Sequence, residues 1–380
     1  MARTLKSDKM LFLATLLLVG ASVVMVYSAS AVQALAKYHA PSYFLYKQLE
    51  WAVVGVSLMF GVMRIDYREY RRPWIIWSLL GVTVVLLLAV FFFAPINGTQ
   101  RWISLGVASL QPSELAKLAA ILFAAALLDK RMHRINEVRY ALAPIAAVVL
   151  VLAGLIYKEP DFGTAVIILA VVAIIAFAAG LSYRYLFIAG ALALPVVGFL
   201  MMSADYRMRR LMIFLDPWKD PLGDGFQIIQ AIFAFGSGGV FGKGLMAGIQ
   251  KLYYIPEPHT DFIYAVIAEE LGLVGTTLTL GCFALIAWRG LRASLLAPDR
   301  FGSLLALGIT MMVALQAFVN ISVVSGLLPT KGIPLPFVSN GGSSLVINLV
   351  AMGILLNISQ QSSAIAGSPT PEWQLTAQEA

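Results

Sequence analysis

Gln111-Pro112-Ser113-Glu114-Leu115-Ala116-Lys117-Leu118 opens a segment that runs on through 119–128 without a polar side chain and closes on Asp129-Lys130-Arg131. A proline at the first helical position with an apolar run behind it predicts a helix starting at Pro112. Glu114 and Lys117, three residues apart, fall on one face of its first turns. Ionisable groups inside hydrocarbon are costly, so such a pair either forms a structural salt bridge or lines a polar cavity. The segment therefore predicts a membrane helix with a polar mouth.

The rest of the chain has the same character. Of 380 residues 60% are hydrophobic and only 12% charged, which excludes a soluble globular surface. About ten apolar runs are long enough to cross a hydrocarbon core of roughly 30 Å. They cover Met10–Ser28, Leu49–Met63, Trp74–Ala94, Ser113–Leu128, Ala141–Tyr157, Gly163–Gly180, Tyr185–Met202, Phe262–Trp288, Leu304–Leu327 and Ser344–Ile358. The third and fourth contain polar or short stretches, so nine or eleven spans fit the same pattern. The predicted fold class is an all-α integral membrane protein. Ala29-Ser30-Ala31 resembles a signal-peptidase site, but the preceding run is longer than a signal peptide needs and is read as a retained helix. Cys282, the single cysteine, reads as a small core residue.

Lysine and arginine in short loops set the orientation. With the N-terminus inside, the inner segments collect Arg3, Lys6, Lys9, Arg64, Arg68, Arg71, Arg72, Lys130, Arg131, Arg134, Arg139, Arg184, Arg289, Arg292 and Arg300. The short outer loops hold Lys37, Lys47, Arg101, Lys158 and Lys331. The net charge of +7 is thus an orientation signal, and nothing points to nucleic acid. In this topology Gln111–Lys117, Glu159–Thr164, His259–Phe262 and Ser339–Ser344 all stand where alternate helices begin on the outer side, and they predict one polar site there.

A single domain over 1–361 is expected, interrupted by a large extracytoplasmic loop at 203–261 between the seventh and eighth helices. Within that loop Phe226–Phe235 is apolar enough for a helix lying on the membrane surface. The polar tail 362–380 reads as a disordered cytoplasmic segment.

Asp261 is a candidate general base at the mouth of the site, with Asp261 or Thr260 equally able to cap the eighth helix. Lys117 could counter a substrate anion or hold Asp261 ionised, with Glu114 positioning it. Asp161 reads as the cap of the sixth helix. The glycines of Ser339–Ser344 could bring backbone N–H groups to an anion, although such a stretch is more often only a turn. Arg207, Arg209, Arg210, Lys243 and Lys251 load positive charge on the side that otherwise avoids it, suiting lipid headgroups or a pyrophosphate-bearing lipid. Gly236–Gly244 is not a phosphate-binding loop of the Walker type, because its spacing differs and no Ser or Thr follows Lys243. Glu269 and Glu270 are expected to be structural, satisfied by Arg or Lys from another helix or by water. His259 has no second His or Cys nearby, so a transition-metal site is not expected, while Mg or Mn arriving with pyrophosphate stays possible.

These residues together resemble the SEDS family of bacterial cell-wall polymerases. The motifs that carry the resemblance are Asn97–Ile103, Gln111–Leu118, Pro160–Thr164, Tyr206–Arg210, Asp216–Trp218, Gly223–Gln227, Gly242–Gly244, Gln250–Leu252, Pro256–Glu270 and Leu335–Leu345. Asn340 departs from the usual tyrosine before the paired glycines, and Met246-Ala247 from a glycine-rich run. Val24–Ala31 looks more like the division branch than the elongation branch. The resemblance implies about ten helices in the bacterial cytoplasmic (inner) membrane, both termini cytoplasmic and an extracytoplasmic active site. It also implies a peptidoglycan glycosyltransferase polymerising lipid II. Asp261 would be the catalytic residue, and substrate would be bound by Glu114, Lys117, Arg101, Arg207, Arg209, Arg210, Lys243, Lys251, His259 and Ser343. The implied partners are a class B penicillin-binding transpeptidase and other divisome or elongasome membrane proteins. A lipid II flippase and a non-catalytic division scaffold are the rival functions.

Overall fold

The computed structural model describes residues 8–95, 99–104, 106, 109–202, 205–252 and 254–365. Asn97 and Gly98 of the first motif, Arg3 and Lys6, and 366–380 of the expected tail lie outside them. Twelve α-helices are present among the described residues: α1 (Lys9–Tyr38), α2 (Tyr43–Val62), α3 (Pro73–Ala89), α4 (Pro112–Arg131), α5 (Ala143–Lys158), α6 (Phe162–Ala178), α7 (Tyr183–Met202), α8 (Asp205–Leu215), α9 (Phe226–Gly238), α10 (Ile263–Leu295), α11 (Arg300–Val324) and α12 (Gly342–Ile365). Ten coincide with the expected spans, and α8 and α9 lie in the 203–261 segment. Among the described residues seven helical segments, at α1, α3, α5, α7, α10, α11 and α12, are long and apolar enough to cross a membrane; α6 is apolar but shorter. The chain is a nearly all-helical, multi-pass membrane protein.

The helices start where local chemistry tells them to. Asp8 accepts from the N–H groups of Met10 and Leu11 to cap α1, Asp299 caps α11 through Gly302 N, and Pro112 opens α4. The core centres on α4, α11 and α12, whose inward faces are mostly alanine, leucine, isoleucine and valine, with Phe123, Phe301, Met312 and Met352 among them. α12 is the most enclosed of the seven apolar segments. At one end of the bundle the capping carboxylates also hold arginines: Arg289 Nε of α10 lies 2.6 Å from Asp8, and Arg68 Nε from the segment between α2 and α3 lies 3.0 Å from Asp299. The opposite end carries the N-termini of α4, α6, α10 and α12.

The 203–261 segment differs from a surface loop. α9 forms where a surface helix was expected, but it packs Ile228, Ile229, Ala231 and Ala234 inward, against α10, and Ile232 and Phe233 are its only exposed large apolar side chains. α10 is broken at Gly272 (φ 63°, ψ −156°), and the chain after α9 inserts against the break. Lys243 N donates to Glu269 O and Gly244 N to Glu270 O, both at 3.0 Å, while Leu273 N and Val274 N donate to Gly239 O and Val240 O. Backbone groups freed by the break are thus satisfied by loop backbone, as an apolar surrounding demands. A Cβ on Gly272 would come within 2.4 Å of Gly242 N, so both the positive φ and the close approach require glycine. Met246, where the family resemblance led to an expectation of glycine, sits at φ 66°. Finally, α12 continues to Ile365, so the first residues of the expected tail are helical.

Candidate active site

The four sequence clusters meet. Gln111 N donates to Ser343 Oγ (3.1 Å), joining the starts of α4 and α12, and Gln111 Nε2 approaches Asp161 Oδ2 at the start of α6 (3.4 Å). Ser339 Oγ donates to Thr260 O (2.7 Å) and Asn340 N to His259 O (2.9 Å), which ties the turn before α12 to the turn before α10. Asn320 of α11 donates to both Asp261 O and Ile333 O, fixing the backbone that carries the candidate base. Asp161 caps α6, accepting from Thr164 N and Thr164 Oγ1. Neither Asp261 nor Thr260 caps α10; its N-cap position is Phe262, which makes no side-chain cap bond. Asp261 is therefore free of the structural duty that sequence allowed it.

A cleft of roughly 500 Å³, open mouth included, lies among α6, α8 and the 329–333 loop. Its charged lining is Arg101, Asp161, Arg207, Arg210 and Lys331. Arg101 is anchored through Nε to Glu159 O (3.1 Å) and through Nη2 to Pro160 O (2.5 Å). Arg207 lies between Tyr157 and Tyr206, donating to both hydroxyls at 2.8 and 2.9 Å. Lys331 stands 4.6 Å over the Phe162 ring, and burial draws its pKa down although Asp161 opposes the shift. Asp261 borders the cleft: a Cβ on Gly332 would lie 2.9 Å from its Oδ2 and 3.9 Å from Arg101 Nη1.

Electrostatics single out three groups around this mouth. Burial, reinforced by Glu257 and Asp161, pushes the Asp261 carboxyl up to about 7 against the pull of Arg101 and Arg210. Glu159 is fully buried, neither carboxyl oxygen has a hydrogen-bond partner among the described residues, and burial with the Asp161 charge raises it to about 8. His259 is 5% exposed, its Nδ1 has no partner among the described residues, and burial together with Lys37 lowers it to about 4.

The proposed binding residues separate into groups. Arg101, Arg207 and Arg210 share the cleft, whereas Arg209 is exposed and faces Asp224 at 3.8 Å. Glu114 and Lys117 form a buried pair at 3.0 Å, with Lys117 also donating to Gln316 and Glu114 accepting from Ser344 Oγ (3.0 Å). They lie beneath the mouth, and Ser343 is engaged with Gln111. Lys243 and Lys251 are not in the cleft. Lys243 pairs with Glu269 (2.8 Å) and Lys251 with Glu270 (2.5 Å), and Ser28 of α1 also donates to Glu270. The cations that satisfy Glu269 and Glu270 come from the inserted loop, not from another helix, which places these two lysines in the scaffold. Lys331, Tyr206 and Glu159 were not among the expected binding residues, although Glu159 opened one of the four clusters and Tyr206 one of the motifs; the only hint of Lys331 in the sequence was one outer-loop charge. Among the described residues no three His, Cys, Asp or Glu side chains are grouped to hold a metal.

Comparison with known proteins gives a consistent result. Residues 8–364 match the family model described as FtsW, RodA and SpoVE, cell cycle protein. A probable peptidoglycan glycosyltransferase FtsW from Geobacter metallireducens is 45% identical over 367 residues, covering 95% of this chain and 96% of the relative. The stage V sporulation protein E of Bacillus subtilis is 43% identical, covering 93% and 97%. Among solved structures, a chain from a peptidoglycan synthase complex that coordinates polymerization and crosslinking superposes with a TM-score of 0.77 at 32% identity, covering 94% of this chain and 99% of that one. The rod shape determining protein RodA of Thermus thermophilus gives 0.70 at 28% identity, covering 94% and 98%.

Proposed function

The chain belongs to the FtsW, RodA and SpoVE family of cell-cycle proteins, and on that premise we infer that it is a peptidoglycan glycosyltransferase joining lipid II into β-1,4-linked strands. The observation that carries the reading is a carboxylate raised to about 7 at the lip of a cleft lined by four cations. Asp261 takes the proton of the acceptor's 4-hydroxyl as that oxygen attacks the anomeric carbon of the donor sugar. The bond from that carbon to the diphosphate breaks with inversion, and its electron pair leaves on the polyprenyl diphosphate. A base titrating near 7 is matched to this work at neutral pH. The leaving group needs charge neutralisation more than a proton, and Arg101, Arg207, Arg210 and Lys331 supply it. Asp161 is the carboxylate lining the cleft, so Mg or Mn carried in with the diphosphate would be held there and add to that neutralisation.

Glu114 and Lys117 support the floor of the site. Below Lys117 a small internal void is walled by Ala120, Ile121, Ile167, Ile168, Val171, Val172 and Met312. A flippase would need polar groups to continue through this level, and the described residues around this void add none beyond Lys117, which favours the polymerase. The site is read as facing outward from the bacterial cytoplasmic membrane with both termini inside. The division branch is the favoured role, with a class B penicillin-binding transpeptidase and other divisome proteins as partners. The test is synthesis from labelled lipid II by the purified protein. Asp261→Asn should lose about 10²–10⁴ in rate while unfolding like the parent, and appreciable strand synthesis by that variant would remove Asp261 as base.

A further inference from the structure

We propose that an aromatic and cationic ramp running from His259 to the α1–α2 turn is the acceptor subsite, taking the amino-sugar end that presents the attacking hydroxyl; this rests on the glycosyl transfer inferred above. The segment before α10 has two different neighbours. Asp261 turns toward Gly332 and Arg101 at the cationic cleft. Two residues earlier, the His259 ring packs 4.5 Å from Phe44 of α2. Phe44 meets Tyr43 edge-on at 5.2 Å and Tyr38 at 5.8 Å, and those tyrosines stack on each other at 4.0 Å. Lys37 and Lys47 stand over Tyr38 and Tyr43, at 5.6 and 4.7 Å. His39 in the left-handed region (φ 54°) ends α1 and turns the chain into α2, fixing this cluster.

A transfer with inversion places donor and acceptor on opposite sides of the carbon under attack, so the base needs a subsite on each side. The diphosphate claims the four-cation cleft. What remains for the acceptor has to hold pyranose rings, whose C–H faces pack on aromatic rings, and the peptide carboxylates of peptidoglycan, which lysines attract. Lys37 and Lys47 can swing from the ring faces onto such carboxylates. His259 supplies the independent sign of a ligand: a neutral, almost wholly buried imidazole with Nδ1 uncommitted among the described residues, two residues from the base. Anchoring to anionic lipid headgroups would use the same lysines but leave that nitrogen without purpose.

The probe is a soluble, fluorescent GlcNAc–MurNAc-peptide fragment with neither lipid nor diphosphate, titrated into the full-length protein in neutral detergent. Lys37→Ala/Lys47→Ala should weaken binding about tenfold, the effect of losing charge-assisted contacts, and amidating the peptide carboxylates should weaken the parent by a similar factor but leave the double variant unaffected. Tyr43→Leu, which keeps an apolar side chain, should also weaken it, whereas Arg210→Ala should not. Fragment binding that survives the double substitution, or is lost in Arg210→Ala instead, overturns the subsite. So does a double variant whose only defect is weaker association with anionic vesicles. Because binding needs no turnover, lipid II polymerisation run in parallel on the parent protein separates failure of this subsite from failure of the polymerase reading.

Discussion

Glu269 and Glu270 lie on α10 and Asp261 just ahead of it, three carboxylates within ten residues of chain, and their surroundings differ. Both glutamates are fully buried, and each meets a lysine and at least one backbone N–H: Glu269 accepts from Lys243, Ile249 N and Gln250 N, and Glu270 from Lys251, the Ser28 hydroxyl and Met246 N. Asp261 and Glu159 stand beside cations that bind other groups or face the cleft, and both are raised above the carboxylate range. Charge that is buried and fully paired holds α1, α10 and the inserted loop together. Charge left short of partners marks where a ligand completes the set.

The contrast can be broken at either side. Removing one partner of the satisfied cluster should do the most damage to the fold. Lys251→Ala leaves Glu270 without its cation and should cost about 3–5 kcal/mol, read as a fall in unfolding temperature in detergent. Lys251→Met with Glu270→Gln should recover much of it, and a harmless Lys251→Ala would show that this cluster is not scaffold. Arg210→Ala, in the open cluster, should instead leave unfolding unchanged and lower kcat/KM for lipid II by about tenfold to a hundredfold, or roughly 1.4–3 kcal/mol of transition-state stabilisation. Unchanged kinetics would take Arg210 out of the site.

The smallest expected effect is at Glu159. Its raised pKa makes it a neutral acid at pH 7, and Glu159→Gln should shift stability by less than about 0.5 kcal/mol near pH 4, where the unfolded carboxyl is protonated too, and should be the more stable protein at pH 7. The folded chain keeps a proton that the unfolded chain releases above its ordinary value of 4.5, so the parent loses stability as pH rises from there to about 8. The glutamine variant should lack that slope; identical slopes would place a charged Glu159 in the fold.

Much of the site was legible because its signals are local. Helix starts are written in proline, aspartate and serine, so four clusters at alternate helix ends sufficed to predict their convergence, and Asp161 read correctly as a cap. The arginines of the Tyr206–Arg210 stretch stood out against the orientation rule. The partners of Lys243 and Lys251 were not legible, because pairing with Glu269 and Glu270 depends on a break at Gly272 whose positive φ no pattern announces within an apolar run. Lys331 escaped for a related reason: a lone lysine between Thr330 and Gly332 acquires meaning only when the loop folds over Phe162. The orphan state of Glu159 is likewise a property of its neighbours.

The most direct measurement is the pH dependence of kcat/KM for lipid II with the purified protein and with Arg210→Ala. The parent should lose activity tenfold per pH unit below a midpoint near 7, where Asp261 takes up a proton. Because Arg210 holds that carboxyl down, its removal should move the midpoint to higher pH. A limb in the ordinary carboxylate range near 4, or a midpoint indifferent to Arg210, would contradict Asp261 as the base tuned by this cleft.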